Sequence, residues 1–382
     1  MHNSLPSQFE SFADARKQGF LAAKKIKDEG KKMVGVFCTY TPLEIFIAAG
    51  TVPVGVCAFS DETVPEAENV LPRNLCPLIK SSYGFALTEK CPYTYFADLL
   101  VGETTCDGKK KMYELLAEIK AVHILQLPQT QNDECSKDLW YSEVMKLKER
   151  VETEFGVVIT EENIRKAVKA KNEERRLLKE FYELSKACPP PMTGVEQLKV
   201  LYGAQFKFNQ EDKNRELREI IDNVKKVSQS GAGNVPKSAK RILITGCPLA
   251  DATTKVVTAI EESGGVVVVY ENCVGAKPAG LLVDETAEPY RAIADRYLQI
   301  GCSVMTPNDN RYKLLKELIK EYQVDGVVEM TLQACLTYAV ETHGIRRLMQ
   351  SEGVPFISVE TDYSGSDTAQ LKTRLAAFIE ML

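Results

Sequence analysis

From residue 14 to about 130 the apolar positions switch repeatedly between a period of two and a period near 3.6, with short turns at each switch. The strand-like runs are MVGVF (33–37), VPVGV (52–56), FADLLVG (96–102) and VHILQL (122–127). Between them lie the helical runs TPLEIFIAAG (41–50), PLIKSSYGFALTE (77–89) and KKKMYELLAEIK (109–120). Strands alternating with helices of this length predict a parallel sheet covered by helices. Residues 137–228 break the rhythm: they are charged and helical throughout, interrupted by the CPPPMTG turn at 188–194. A charge-rich helix face is normally a solvated one, so this stretch reads as a structural connector. After SQSGAGNVPKSAK (228–240), which has linker composition, the alternation resumes with RILITG (241–246), VVVVYE (266–271), DGVVEM (325–330) and PFISVE (355–360). The expected organisation is α/β with two doubly wound parallel-sheet domains, 1–136 and 241–382, joined by a helical region and linker at 137–240.

Composition narrows the class. A chain of 382 residues that is 44% hydrophobic and 26% charged is long enough for two cores. A net charge of −5 argues against a broad nucleic-acid-binding face. The polar start MHNSLPSQFESFADARK lacks the apolar core of a signal peptide. The most lipid-like stretch, 45–59, is too short to span a bilayer and contains Pro53. These features read as a cytoplasmic protein, in which cysteines serve as metal ligands, redox groups or core packing and not as disulfides.

Several familiar chemistries are poorly served. GAGNVPKS (231–238) mimics a phosphate-binding loop, but Pro236 stands where a second glycine is needed and the segment precedes a strand instead of following one. No complete GxGxxG follows a strand and no GxSxG elbow is present. Of only three histidines, His123 falls within an apolar strand run, where a core role fits better than a base.

The cysteines are the informative feature. Six of eleven, Cys38, Cys76, Cys106, Cys247, Cys273 and Cys335, sit where a strand-like run ends or a helical run begins. Open α/β sheets keep their ligand sites at the carboxyl ends of the strands, and a helix amino end favours the thiolate. If a cleft lies between the two sheets, three thiolates come from each side, more than one zinc or one cubane requires. Taken singly, each reads equally as a small buried hydrophobe, and no CxxC pair is present. Cys57 inside a strand run, Cys135 and Cys188 in connecting segments, and Cys91 at the far end of the helix opened by Cys76 read as ordinary cysteines; Cys302 is a loop residue held in reserve.

Eight segments give these positions a family context. FCTYTPLEIFIAAG (37–50), LPRNLCPLIKSSYG (71–84), GETTCDGKKKMYE (102–114) and QLPQT (126–130) resemble the cluster-binding subunits of 2-hydroxyacyl-CoA dehydratases and benzoyl-CoA reductases. So do TGCP (245–248), YENCVGAK (270–277), VDGVVEMTLQAC (324–335) and ETDYSGSD (360–367), most closely in the branch of double-cubane cluster proteins. The resemblance implies that Cys76, Cys106 and Cys335 hold a 4Fe-4S cubane. In the double-cubane branch a bridging sulfide joins it to a second cubane, for which strand polarity suggests Cys38, Cys247 and Cys273. It further implies a homodimer and a separate ATP-hydrolysing iron–sulfur activator protein as electron donor; the charge balance and the shortness of the lipid-like stretch point to no nucleic-acid or membrane partner.

The reading that follows is an ATP-coupled, low-potential oxidoreductase that reduces a small molecule. Glu44, Glu271 and Glu329, near the ligands in sequence, are the candidate proton sources, against the plainer reading of surface or capping carboxylates. The alternatives are a dehydratase or benzoyl-CoA reductase-type subunit with a single 4Fe-4S cluster, and a non-catalytic electron-transfer protein. Zinc fits least well, because dispersed thiolates do not follow the paired spacing of structural zinc sites.

Overall fold

The computed structural model describes residues 4–11, 13–247 and 251–382, so Pro248 of the TGCP segment lies outside the described residues. The chain forms two compact units. One comprises residues 1–171 and 283–299, the other 172–282 and 300–382.

The first unit carries a four-stranded sheet of β1 (Met33–Val36), β2 (Val52–Gly55), β3 (Leu99–Glu103) and β4 (Val122–Leu125) in the order β2-β1-β3-β4, all parallel. The second repeats that order with β5 (Lys240–Gly246), β6 (Gly265–Glu271), β7 (Gly326–Leu332) and β8 (Phe356–Thr361), as β6-β5-β7-β8. β1, β3, β6 and β7 are buried along their whole length, as expected of Val- and Leu-rich strands with helices on both faces. β4 and β8 are edge strands and are partly exposed. Pro53 is tolerated because β2 is also an edge strand and has a free side for the missing N–H. In each sheet the chain turns from one side of the first strand to the other, which puts a topological switch point between β1 and β3 and between β5 and β7.

The residues from 137 to 240 are shared between the units. Helix Glu134–Phe155 belongs to the first, capped by Asp133 and ended by Gly156 in the left-handed region. It packs against helix Pro289–Leu298, which brings residues 283–299 back to that unit. Helix Glu161–Glu183 runs through the boundary at 171/172. Its second half lies along helix Gln210–Ser230 through the pairs Glu173–Arg218 and Glu180–Lys225, both 2.6 Å. These pairs are largely solvated and contribute little stability each. Among the described residues, no helix is long and apolar enough to cross a membrane.

Candidate functional site

The six sequence-selected cysteines fall into two geometric groups. Cys76, Cys106 and Cys335 are the N-cap residues of helices Pro77–Leu87, Asp107–Leu116 and Leu336–Glu352, and none uses its side chain for capping. An N-cap faces the unsatisfied amides and the positive end of the helix, which stabilises a thiolate there. Cys38 and Cys273 instead stand two residues beyond the ends of β1 (Val36) and β6 (Glu271), and Cys247 directly follows β5, which ends at Gly246.

Local packing draws the first unit's cysteine segments together. A Cβ on Gly108 would approach Ile79 Cδ1 to 2.6 Å and Leu75 Cδ1 to 3.0 Å, so the absence of a side chain lets the helix after Cys106 sit on the segment of Cys76. The register Val36↔Gly55 also brings Cys57 level with Cys38. Cys57 is therefore not inside a strand, as its apolar neighbours suggest, because β2 stops at Gly55. Its Sγ donates to the Phe37 carbonyl at 2.9 Å, and burial pushes the thiol up despite the nearby Lys109 ammonium. Lys109 Nζ donates to the same carbonyl at 3.0 Å. Beside them Thr41 Oγ1 donates to Glu103 Oε1, and burial raises the Glu103 carboxyl although Lys109 opposes this. Glu103 Oε2 and the Tyr113 hydroxyl are buried with no hydrogen-bond partner among the described residues. Glu103, Lys109 and Tyr113 were missed in the sequence; only the position of Lys109 in the TTCDGKKK segment hinted at it.

In the second unit the Cys247 amide donates to the Met330 carbonyl at 2.7 Å, and the Leu332 amide donates to Cys247 Sγ at 3.3 Å. An amide donated to sulfur stabilises thiolate charge. Thr245 is paired in register with both Glu271 and Glu329, which sets a row of two carboxylates and a hydroxyl across three strands. Arg311, fully buried, reaches this row: NH2 donates to Thr245 Oγ1 at 2.8 Å, Nε lies 3.4 Å from Glu271 Oε2, and NH2 lies 3.6 Å from Glu329 Oε1. It also pairs with Glu341. Lys277 Nζ sits 3.1 Å from Glu271 Oε1 and donates to the Tyr338 hydroxyl at 3.1 Å; Cys302 Sγ is 4.0 Å from that hydroxyl. Burial pulls Lys277 down, yet the Glu271 carboxylate leaves it above its ordinary value. Lys277 lies in the YENCVGAK segment; Arg311, on a polar helix, carried no sequence signal.

The three candidate carboxylates are not at the surface. Glu44, Glu271 and Glu329 are all fully buried, which replaces the surface reading by one of internal partners. Glu44 Oε2 accepts from the Tyr297 hydroxyl at 2.8 Å. Glu271 is held by Lys277 and Arg311, and burial raises Glu329, with Arg311 acting against it. Cys91 caps helix Pro92–Phe96, its sulfur accepting from the Thr94 amide at 3.4 Å. Cys135 and Cys188 are exposed. His123 lies on edge strand β4, and partial burial, helped by Arg150, lowers its basicity. Within either unit, among the described residues, no three His, Cys, Asp or Glu side chains gather closely enough to hold a metal ion.

Residues 38–382 match the family model described as 2-hydroxyglutaryl-CoA dehydratase, D-component. The chain belongs to this family. Within it, YjiM of Escherichia coli K12 is 54% identical over 379 residues, covering 99% of this chain and 98% of that protein. The (R)-phenyllactyl-CoA dehydratase beta subunit of Clostridium sporogenes is 24% identical, covering 94% of each chain. One of the subunits of the benzoyl-CoA reductase of Thauera aromatica is 21% identical, covering 95% of this chain and 94% of that one. Family membership supports an enzymatic role of dehydratase or oxidoreductase type for this protein, and those relatives are subunits of such enzymes.

Proposed function

We propose that this protein is an iron–sulfur reductase that carries an 8Fe-9S double cubane, takes low-potential electrons from an ATP-hydrolysing activator protein, and reduces a small molecule. The observation that carries the reading is the division of the cysteines by local geometry. The three expected to hold the first cubane, Cys76, Cys106 and Cys335, are the three non-capping N-caps. The three expected to hold the second stand just past strand ends, Cys38 and Cys273 by two residues and Cys247 by one, a position that Cys57 shares. The donor chemistry fits the group: thiolates at strand ends and helix amino ends, with an amide hydrogen bond on Cys247, are what a low-potential cluster requires. Such a cluster would supply electrons singly at low potential. The chain's own part is to hold thiolates in place, surround them with buried charge, and raise the carboxyls of Glu103 and Glu329 by burial. The same reading takes the protein to be a cytoplasmic homodimer.

A second reading rests on the names of the relatives, which are subunits acting on CoA thioesters. It assigns a single 4Fe-4S cluster on Cys76, Cys106 and Cys335 and leaves Cys38, Cys247 and Cys273 without iron. Iron, acid-labile sulfide and zinc per chain, measured on anaerobically purified protein, separate the two. About eight irons with about nine sulfides support the double cubane, and about four irons support the single cluster. Zinc alone, or no metal, overturns both.

A further inference from the structure

Lys109 in the first unit and Lys277 in the second are both buried beside cysteines, and the two are neutralised differently. Lys277 is 2% exposed and has a carboxylate partner, Glu271, at 3.1 Å. Lys109 is 7% exposed, and among the described residues no carboxylate lies within ion-pair distance of it; its ammonium donates to the Phe37 carbonyl at 3.0 Å. The sulfur of Cys57 converges on that carbonyl at 2.9 Å, and strand register sets Cys38 level with Cys57. Nearby Glu103 accepts from Thr41 and is held toward its neutral form by burial. An ammonium removed from water without an anion costs several kcal/mol. Cys57 donates to that carbonyl as a thiol, so the available anion is the thiolate of Cys38, next in the chain to Phe37.

We propose that Lys109 is the built-in counter-ion of the Cys38 thiolate at the end of β1, a positioning residue that raises the reduction potential of the iron–sulfur group held there, whereas Lys277 has no such effect because Glu271 already neutralises it. This rests on the cluster reading above. A fixed positive charge close to sulfur favours the more negative, reduced form. The charge acts only while it is uncompensated, which is why the two lysines differ despite similar burial.

The test is a redox titration of anaerobically purified wild type, Lys109→Gln, Lys109→Arg and Lys277→Gln, with iron and sulfide counted for each. Lys109→Gln is expected to keep its iron and lower the reduction equilibrium at least tenfold, 59 mV for a one-electron couple. Lys109→Arg, which keeps the charge, restores most of that shift, and Lys277→Gln stays at the wild-type value. Should Lys109→Gln not fold, Cys57→Asp sets a carboxylate beside the ammonium and is expected to produce the same fall. A wild-type potential in Lys109→Gln, or in Cys57→Asp, overturns the proposal and leaves the cluster reading standing. An equal fall in Lys277→Gln overturns it as well, since burial and not net charge would then be responsible. Wild-type protein without iron and sulfide overturns the cluster reading itself.

Discussion

Thr245 faces Glu271 in the register of β5 and β6, and Cys247 and Cys273 each follow their member of that pair by two residues. The first sheet repeats the relationship with Cys38 and Cys57 beyond Val36 and Gly55. The two pairs differ in what holds the sulfur. Cys247 receives the Leu332 amide, which favours a thiolate, whereas Cys57 donates to the Phe37 carbonyl, which requires a thiol.

Serine variants should divide along these lines. Cys76→Ser and Cys106→Ser are expected to lose iron altogether, and Cys38→Ser to keep roughly half. Cys91→Ser should keep all of it with unchanged stability, because that sulfur serves as a helix cap and serine caps well. Iron and sulfide analysis with thermal unfolding checks all four, and full iron in Cys38→Ser removes that residue from the site.

Arg311 is the pivot of the second unit's buried charge, pairing with Glu271, Glu329 and Glu341. Replacing it by methionine strands these carboxylates and is expected to destabilise the protein by about 3–5 kcal/mol. A urea unfolding midpoint within error of wild type would show that the network is solvated in solution.

Burial holds the Glu329 carboxyl above its ordinary value of 4.5, although Arg311 pulls the other way. A raised acid binds its proton more tightly in the folded state. Its contribution to stability is thus complete below about pH 4.5 and is lost as pH rises through the folded value. Glu329→Gln keeps the neutral shape at every pH. It should unfold at more nearly equal temperatures at pH 5 and pH 8 than wild type does, and an unchanged difference between the two pH values would assign the dependence elsewhere.

Gly246, immediately before Cys247, has φ +111° and lies so close to β7 that an added Cβ would sit 2.1 Å from the Met330 carbonyl oxygen. Gly246→Ala must therefore displace the Cys247 amide from that same carbonyl. We expect a loss of at least about 2 kcal/mol. Loss of amide-exchange protection at Cys247 and Leu332 in the variant is the accompanying sign; retained protection at both would show that the strand end absorbs the change.

The eight strands are legible along the chain to within a few residues, since strands buried on both faces in a parallel sheet must be continuous apolar runs and the polar turns between them leave little choice. The family and the cysteines at element boundaries are legible there too, because both depend on local order along the chain. FADLLVG was read three residues too early, as Phe96 closes the short helix Pro92–Phe96 before β3 begins. Which strand ends, and so which cysteine-bearing turns, face one another is not legible along the chain, because register depends on the pairing partner and not on the strand's own residues. The same holds for the sharing of the 137–240 helices between two units, and for the seating of Arg311, Lys109 and Lys277 in the interior. A lysine or arginine in a polar helix looks solvated in sequence; its burial depends on carboxylates, hydroxyls and carbonyls supplied by strands far away in the chain.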